Sequence, residues 1–228
     1  MIRKIGWAVM AVFALIIAAS AIAVLVVPTM RAPFLQQRFL TMPLAATLHL
    51  AGAAVALAVG PLQHNSHLRG RFLNMHRWTG RAYIIAVLFG GSAALMLATV
   101  SQGGLPAHVG FGLLAVLWLL ATGQAYRYIR AGEQAAHRRW MTRSYALTFA
   151  AVTLRIYIPL SQVVGLPFEP AYQTIAWLCW VPNLILAEWL ILRRRTRRRF
   201  KHLTRSSPPN RRLKTDAGTS LSFVDTST

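Results

Sequence analysis

The chain has 228 residues, 55% of them hydrophobic and 13% charged, and its 25 Lys and Arg against 5 Asp and Glu give a net charge of +20. A soluble domain needs charge on the outer face of each element, but here runs of about twenty residues carry almost none, which excludes an ordinary soluble fold. The basic excess does not describe a nucleic-acid surface either, because 11 of the 25 cations follow Leu192, beyond the last apolar stretch.

In chain order, six apolar stretches are long enough to cross a hydrocarbon core of about 30 Å. They cover residues 6–27, 43–60, 81–99, 106–125, 144–164 and 172–192. The pattern predicts an all-α polytopic membrane protein, with a transmembrane domain over residues 1–192 and a tail over 193–228. The first stretch has a second reading as a signal peptide, since Ala19, Ser20 and Ala21 resemble a cleavage site. The apolar run continues through Val27, past that site, which favours a retained helix. Pro28, Pro43, Pro61 and Pro106 fall at span edges, where a missing N–H costs least. Pro159 and Pro182 lie inside the fifth and sixth spans and predict kinks there.

The loops give a direction. Of the Lys and Arg residues outside the spans, 22 lie on one side, and Arg31 and Arg38 alone lie on the other. Positive residues favour the cytoplasm, so both termini are expected there, with the chain in a bacterial inner membrane. The tail opens with RRRTRRRFK and continues in Ser, Thr, Pro and Asn. It has too little apolar surface to fold alone and is expected to be disordered, with its basic run on anionic lipid headgroups. Cys179 is the single cysteine, so there is no intramolecular disulfide and no C-x-x-C motif. Phosphate-cradling glycine loops, G-x-S-x-G and H-E-x-x-H are absent, and no hydrolase, kinase or dehydrogenase is indicated.

The middle of the chain reads as two copies of one unit, over residues 43–100 and 106–165. His49 is followed 27 residues later by His76 in HRWTGRAY, and His108 is followed 29 residues later by His137 in HRRWMTRSY. Both copies run in the same direction, so they predict a central four-helix bundle built from two parallel two-helix repeats. The strings GPLQ, LRGRF, MHRWTGRAY and HRRWMTRSYALTFAAVTLR, with the helix of His108 and Trp118, resemble an uncharacterised bacterial membrane-protein family. It is catalogued as domain of unknown function 2306. The resemblance spans roughly residues 49–159 and implies a multi-span membrane protein without an established activity.

Topology alone places His49 and His108 toward the outer side, and His76 and His137 at the inner entrances of the third and fifth helices. That layout is similar to the transmembrane diheme cytochromes b. The similarity implies heme b held by His49 with His108 and by His76 with His137, and electron transfer with an unidentified donor or acceptor. Read from the residues alone, the same histidines can be hydrogen-bonded structural groups, and the H-R-x-x-x-R clusters can bind lipid phosphate. His64 and His67 read as loop residues and His202 as tail. Arg155, near mid-membrane, marks a functional site or a polar pairing. It shares a helical face with His137, through Met141, Ser144, Thr148 and Ala151. Arg155 can meet a heme propionate, an anionic substrate, or backbone carbonyls. Glu188, near the far end of the last span, is a poor partner for it. Two functions follow as expectations: a b-type heme electron-transfer protein, or a transporter or binding protein for a small anionic solute. A non-catalytic structural role is the third reading.

Overall fold

Many large apolar side chains of the long helices are exposed, as they are where lipid rather than water surrounds a protein. The computed structural model describes residues 2–65 and 70–206, and no strand occurs among them. In chain order the helices are α1 (Ile2–Val26), α2 (Pro33–Thr41), α3 (Pro43–His64), α4 (Leu73–Ala98), α5 (Gly104–Arg130), α6 (Gln134–Thr148), α7 (Ala150–Val163), α8 (Phe168–Leu178) and α9 (Val181–Ser206). Six candidate spans are long and apolar enough to cross a membrane: Ile5–Val26, Pro43–His64, Leu73–Ala98, Gly104–Arg130, Gln134–Val163 and Phe168–Arg193. The fifth consists of α6 and α7, and the sixth of α8 and the start of α9.

The contacts divide the chain after Ile191. In the second unit, residues 192–206 continue α9 as helix. Sequence reasoning expected the basic run from Arg193 to have no structure. Arg and Lys are good helix formers, and extending an existing helix avoids the cost of nucleation. The rest of the tail and His67 lie outside the described residues.

Within the first unit, α3 packs along α4, α4 against α5, and α5 along α6, while α6 touches α3. These four helices form a ring in which α3 lies across from α5 and α4 across from α6. At Gly52 the backbones of α3 and α4 come close together. A Cβ on Gly52 would lie 2.5 Å from the Ala86 carbonyl oxygen and 2.9 Å from the Gly90 Cα. In lipid, helices associate by such close packing of small residues, because apolar burial alone gives no preference for protein over lipid.

The first helix is bound into this core. Ala14 and Ala18 pack on Leu57 and Val152, and Ala21 packs on Leu50 and Ala54. Trp7 Nε1 donates to the Pro61 carbonyl at 3.0 Å. Beyond α1 the chain turns through Pro28–Met30 into α2, a short helix that the sequence reading left as loop. Arg31 fixes this turn by donating to the carbonyls of Val24 and Leu25, each at 3.0 Å, with its guanidinium 3.9 Å from the Phe39 ring centre.

The two discontinuous spans have local causes. Pro159 lies within α7 without interrupting it. The fifth span breaks earlier, at Phe149, where Thr148 Oγ1 donates back to the Ser144 carbonyl at 3.0 Å and the Val152 N–H bonds to Phe149 with a tightened i−3 spacing. The sixth span breaks at Cys179 and Trp180, just before Pro182, which has no N–H to return to Leu178. The Cys179 carbonyl is taken up by Asn183 Nδ2 at 2.9 Å and by the Thr153 hydroxyl of α7.

Candidate functional site

The polar groups of the bundle fall into three layers. Near the start of α3, His49 is half-buried, and its Nδ1 lies 3.0 Å from the Gly90 carbonyl of α4. A carbonyl only accepts, so Nδ1 carries the proton and Nε2 is the unprotonated nitrogen of the neutral ring. Arg155 lies on α7. It stands one turn beyond Ala151, on the face that meets α1 and α3. Its guanidinium makes one long contact, 3.4 Å from Nη1 to the Ala151 carbonyl. Among the described residues no carboxylate reaches it, because Glu188 is taken by Arg143 in a two-pronged pair, with Nη2 to Oε2 at 2.9 Å. His49 and Arg155 both keep part of their surface accessible.

The middle layer is a buried hydroxyl cluster that joins α4, α5 and α6. Tyr83 Oη lies 2.8 Å from Ser144 Oγ and 2.7 Å from Thr148 Oγ1. Thr122 Oγ1 lies 2.7 Å from Ser144 Oγ, and Trp118 Nε1 donates to Thr148 Oγ1 at 2.9 Å. Thr148 and Thr122 also lie at hydrogen-bond distance from the carbonyls of Ser144 and Trp118, so four hydroxyl protons serve five contacts and no single donor order satisfies all of them. Two of its members are tied to backbone carbonyls of their own helices, so the cluster fixes helix positions. Sequence reasoning saw Ser144 and Thr148 as part of a seam joining His137 to Arg155. It missed Tyr83, Thr122 and Trp118, although Thr122 and Trp118 stand one turn apart in an apolar span.

The third layer lies at the arginine-rich end, where α4 and α6 begin. His137 Nδ1 donates to the Ala125 carbonyl at 2.8 Å. His76 lies in the first turn of α4, and Gln63 of α3 ties that turn down through Thr79 Oγ1 at 2.6 Å. His64 is the last residue of α3 rather than a loop residue. It donates from Nδ1 to the Gly60 carbonyl at 3.1 Å, with its ring 5.0 Å from that of Tyr145. Trp78 carries Arg81 over its ring at 4.8 Å, and Trp140 carries Arg143 at 4.5 Å, so the repeated motif repeats this contact.

The fit to bis-histidine heme is partial. The histidines of each expected pair stand on helices that face each other across the ring. In His49 and His137 a backbone carbonyl holds Nδ1, the arrangement usual for a metal-ligating imidazole that uses Nε2. His108 differs: its Nε2 donates to the Ser101 carbonyl at 2.8 Å, which leaves Nδ1, the nitrogen crowded by its own backbone. Among the described residues no three His, Cys, Asp or Glu side chains gather into a metal-binding group.

A family model described as predicted membrane protein (DUF2306) matches residues 46–191. No curated protein and no solved structure matches the chain. The likeness to diheme cytochromes b therefore rests on the histidine layout alone.

Proposed function

The chain belongs to the DUF2306 family of predicted membrane proteins, and from that premise we propose that it binds a small monovalent organic anion, a monocarboxylate, inside the membrane at Arg155. The observation that carries this reading is charge balance. A guanidinium among the spans is costly unless neutralised, and Arg155 has one 3.4 Å contact and no carboxylate partner among the described residues. A single arginine supplies one charge and a planar fork that matches one carboxylate. In this reading the arginine-rich end faces the cytoplasm, the His49 layer opens outward, and the basic run after Leu192 lies on anionic headgroups.

The test is lactate binding to the purified protein in lipid nanodiscs, with sulfate as a dianionic control. Lactate binds and sulfate does not, Arg155→Gln abolishes binding, and Arg155→Lys retains part of it. Absence of lactate binding by the native protein overturns the reading.

A second reading, a heme b electron-transfer protein, is favoured by one observation: His49 and His137 each donate from Nδ1 to a backbone carbonyl, the tautomer suited to axial ligation. His49, His76 and His137 would supply axial nitrogens, His108 would have to release Ser101, and Arg155 would meet a propionate. Bound heme would supply one-electron transfer. A reduced-minus-oxidised spectrum without a Soret shift after heme supplementation removes this reading and leaves the first intact.

A further inference from the structure

We infer that the first copy of the repeated motif binds an anionic phospholipid, with Arg77 and Arg81 on its phosphate and Trp78 at the top of its acyl chains. This goes beyond the Arg155 reading and stands without it. The second copy shows how the motif meets an oxyanion. There Arg143 lies over Trp140 and turns its guanidinium edge to the Glu188 carboxylate, with Nη2 to Oε2 at 2.9 Å. In the first copy Arg81 lies over Trp78 in the same way, at 4.8 Å from the ring centre. It has no counterpart of Glu188: the chain contains no Asp or Glu before Glu133, and among the described residues no carboxylate meets Arg77 or Arg81. Both arginines are exposed, and they stand one turn apart on α4, a spacing at which like charges repel. An anion from outside the chain removes that repulsion and takes the place that Glu188 fills in the second copy. A phosphate accepts from a guanidinium fork as a carboxylate does.

The surface beside the arginines selects the kind of phosphate. Trp78, Ala82, Ile85 and Phe89 follow one another at steps of three or four residues, so they share one face of α4. All four are exposed, Trp78 by 67%. Two cations at the end of a span, with an apolar stripe leading away from them along it, match the shape of a phospholipid. The headgroup meets the arginines and the acyl chains lie along the stripe, which a soluble phosphate would leave uncovered. Charge then selects the lipid class. Two cations without a carboxylate favour phosphatidylglycerol, which carries a net negative charge, over phosphatidylcholine, whose ammonium offsets its phosphate.

The experiment uses the full chain in phosphatidylcholine nanodiscs with increasing fractions of phosphatidylglycerol or phosphatidylcholine brominated near the top of the acyl chains. Bromine quenches nearby indoles, and subtracting the signal of Trp78→Phe isolates Trp78. The fraction that half-quenches Trp78 is lower for phosphatidylglycerol, by about fivefold for each arginine facing the headgroup. Arg81→Gln raises that fraction about fivefold, and Arg81→Lys, which keeps the charge and loses the fork, recovers part of the change. Arg130→Gln removes an exposed cation at the same end of the bundle but outside the motif, and leaves the fraction unchanged. Equal quenching by the two lipids overturns the inference. So does a loss in Arg130→Gln as large as that in Arg81→Gln, which would mark diffuse charge rather than a site. Inorganic phosphate, compared with chloride at equal ionic strength, leaves the quenching as it is. A loss specific to phosphate would make the occupant a soluble anion and overturn the assignment to lipid.

Discussion

His49 donates from Nδ1 to the carbonyl of Gly90, one turn of α3 from Gly52, where the backbones of α3 and α4 touch. The histidine can reach that carbonyl because neither Gly52 nor Gly90 holds the helices apart. A methyl on Gly52 would enter space held by the Ala86 carbonyl and the Gly90 Cα, both backbone atoms that cannot swing aside. Gly52→Ala is therefore expected to cost about 1–3 kcal/mol as an overpacking substitution. The measurement is unfolding of the purified variant in detergent. Wild-type stability in Gly52→Ala would show that α3 and α4 are not in contact there.

The buried hydroxyl cluster makes a different demand. Tyr83 is the single member that bonds to both Ser144 and Thr148, and it is fully buried. Tyr83→Phe removes the hydrogen bonds to Ser144 and to Thr148. The expected loss is about 1–2 kcal/mol, the upper range for interhelical hydrogen bonds in membranes. Tyr83→Phe and Ser144→Ala together should cost less than the sum of the two, because they remove the same bond. Strict additivity in unfolding measurements would refute a direct link.

Six spans were legible from apolar runs because lipid requires long, unbroken helices, and that requirement reaches composition directly. The helix boundaries inside the membrane were less so. Pro159 was expected to kink the fifth span, yet α7 runs through it and the helix assignment changes earlier, at Phe149. The site was legible in outline only. His49 and Arg155 stood out as rare polar residues, but the meeting of α1, α3 and α7 beside them is encoded by no local pattern. His108 shows the limit of the repeat. It occupies the position of His49 in the second copy, yet it turns to the Ser101 carbonyl in the preceding loop.

Arg143 and Glu188 join α6 to α9 at the arginine-rich end, and Arg143 also lies over Trp140. The two side chains are 22% and 39% exposed, so solvent and salt weaken the pair. Glu188→Gln should cost at most about 1 kcal/mol in low salt and less at high salt. Exchanging the two residues should recover part of that loss. A cost well above this range and insensitive to salt would mean that the pair is more shielded than its exposure indicates.

The two tyrosines of the repeated motif predict opposite outcomes for one substitution. Tyr83 and Tyr145 both close an H-R…W…R-x-Y string, and both are buried. Tyr83 has its hydroxyl bonded twice, whereas the Tyr145 hydroxyl has no hydrogen-bond partner among the described residues. The Tyr145 ring instead fills the space over Gly60, where a Cβ would lie 1.9 Å from its Cε2. Removing an unsatisfied hydroxyl while keeping the ring recovers its desolvation penalty. Tyr145→Phe should therefore be neutral or stabilising, by up to about 1–3 kcal/mol, in the same assay in which Tyr83→Phe is destabilising. Gly60→Ala should be destabilising through its clash with that ring, and Tyr145→Ala, which vacates the space, should relieve part of the clash in the double variant. Equal losses for the two Tyr→Phe changes would mean that Tyr145 is hydrogen-bonded too, and that the two copies of the motif are equivalent at this position.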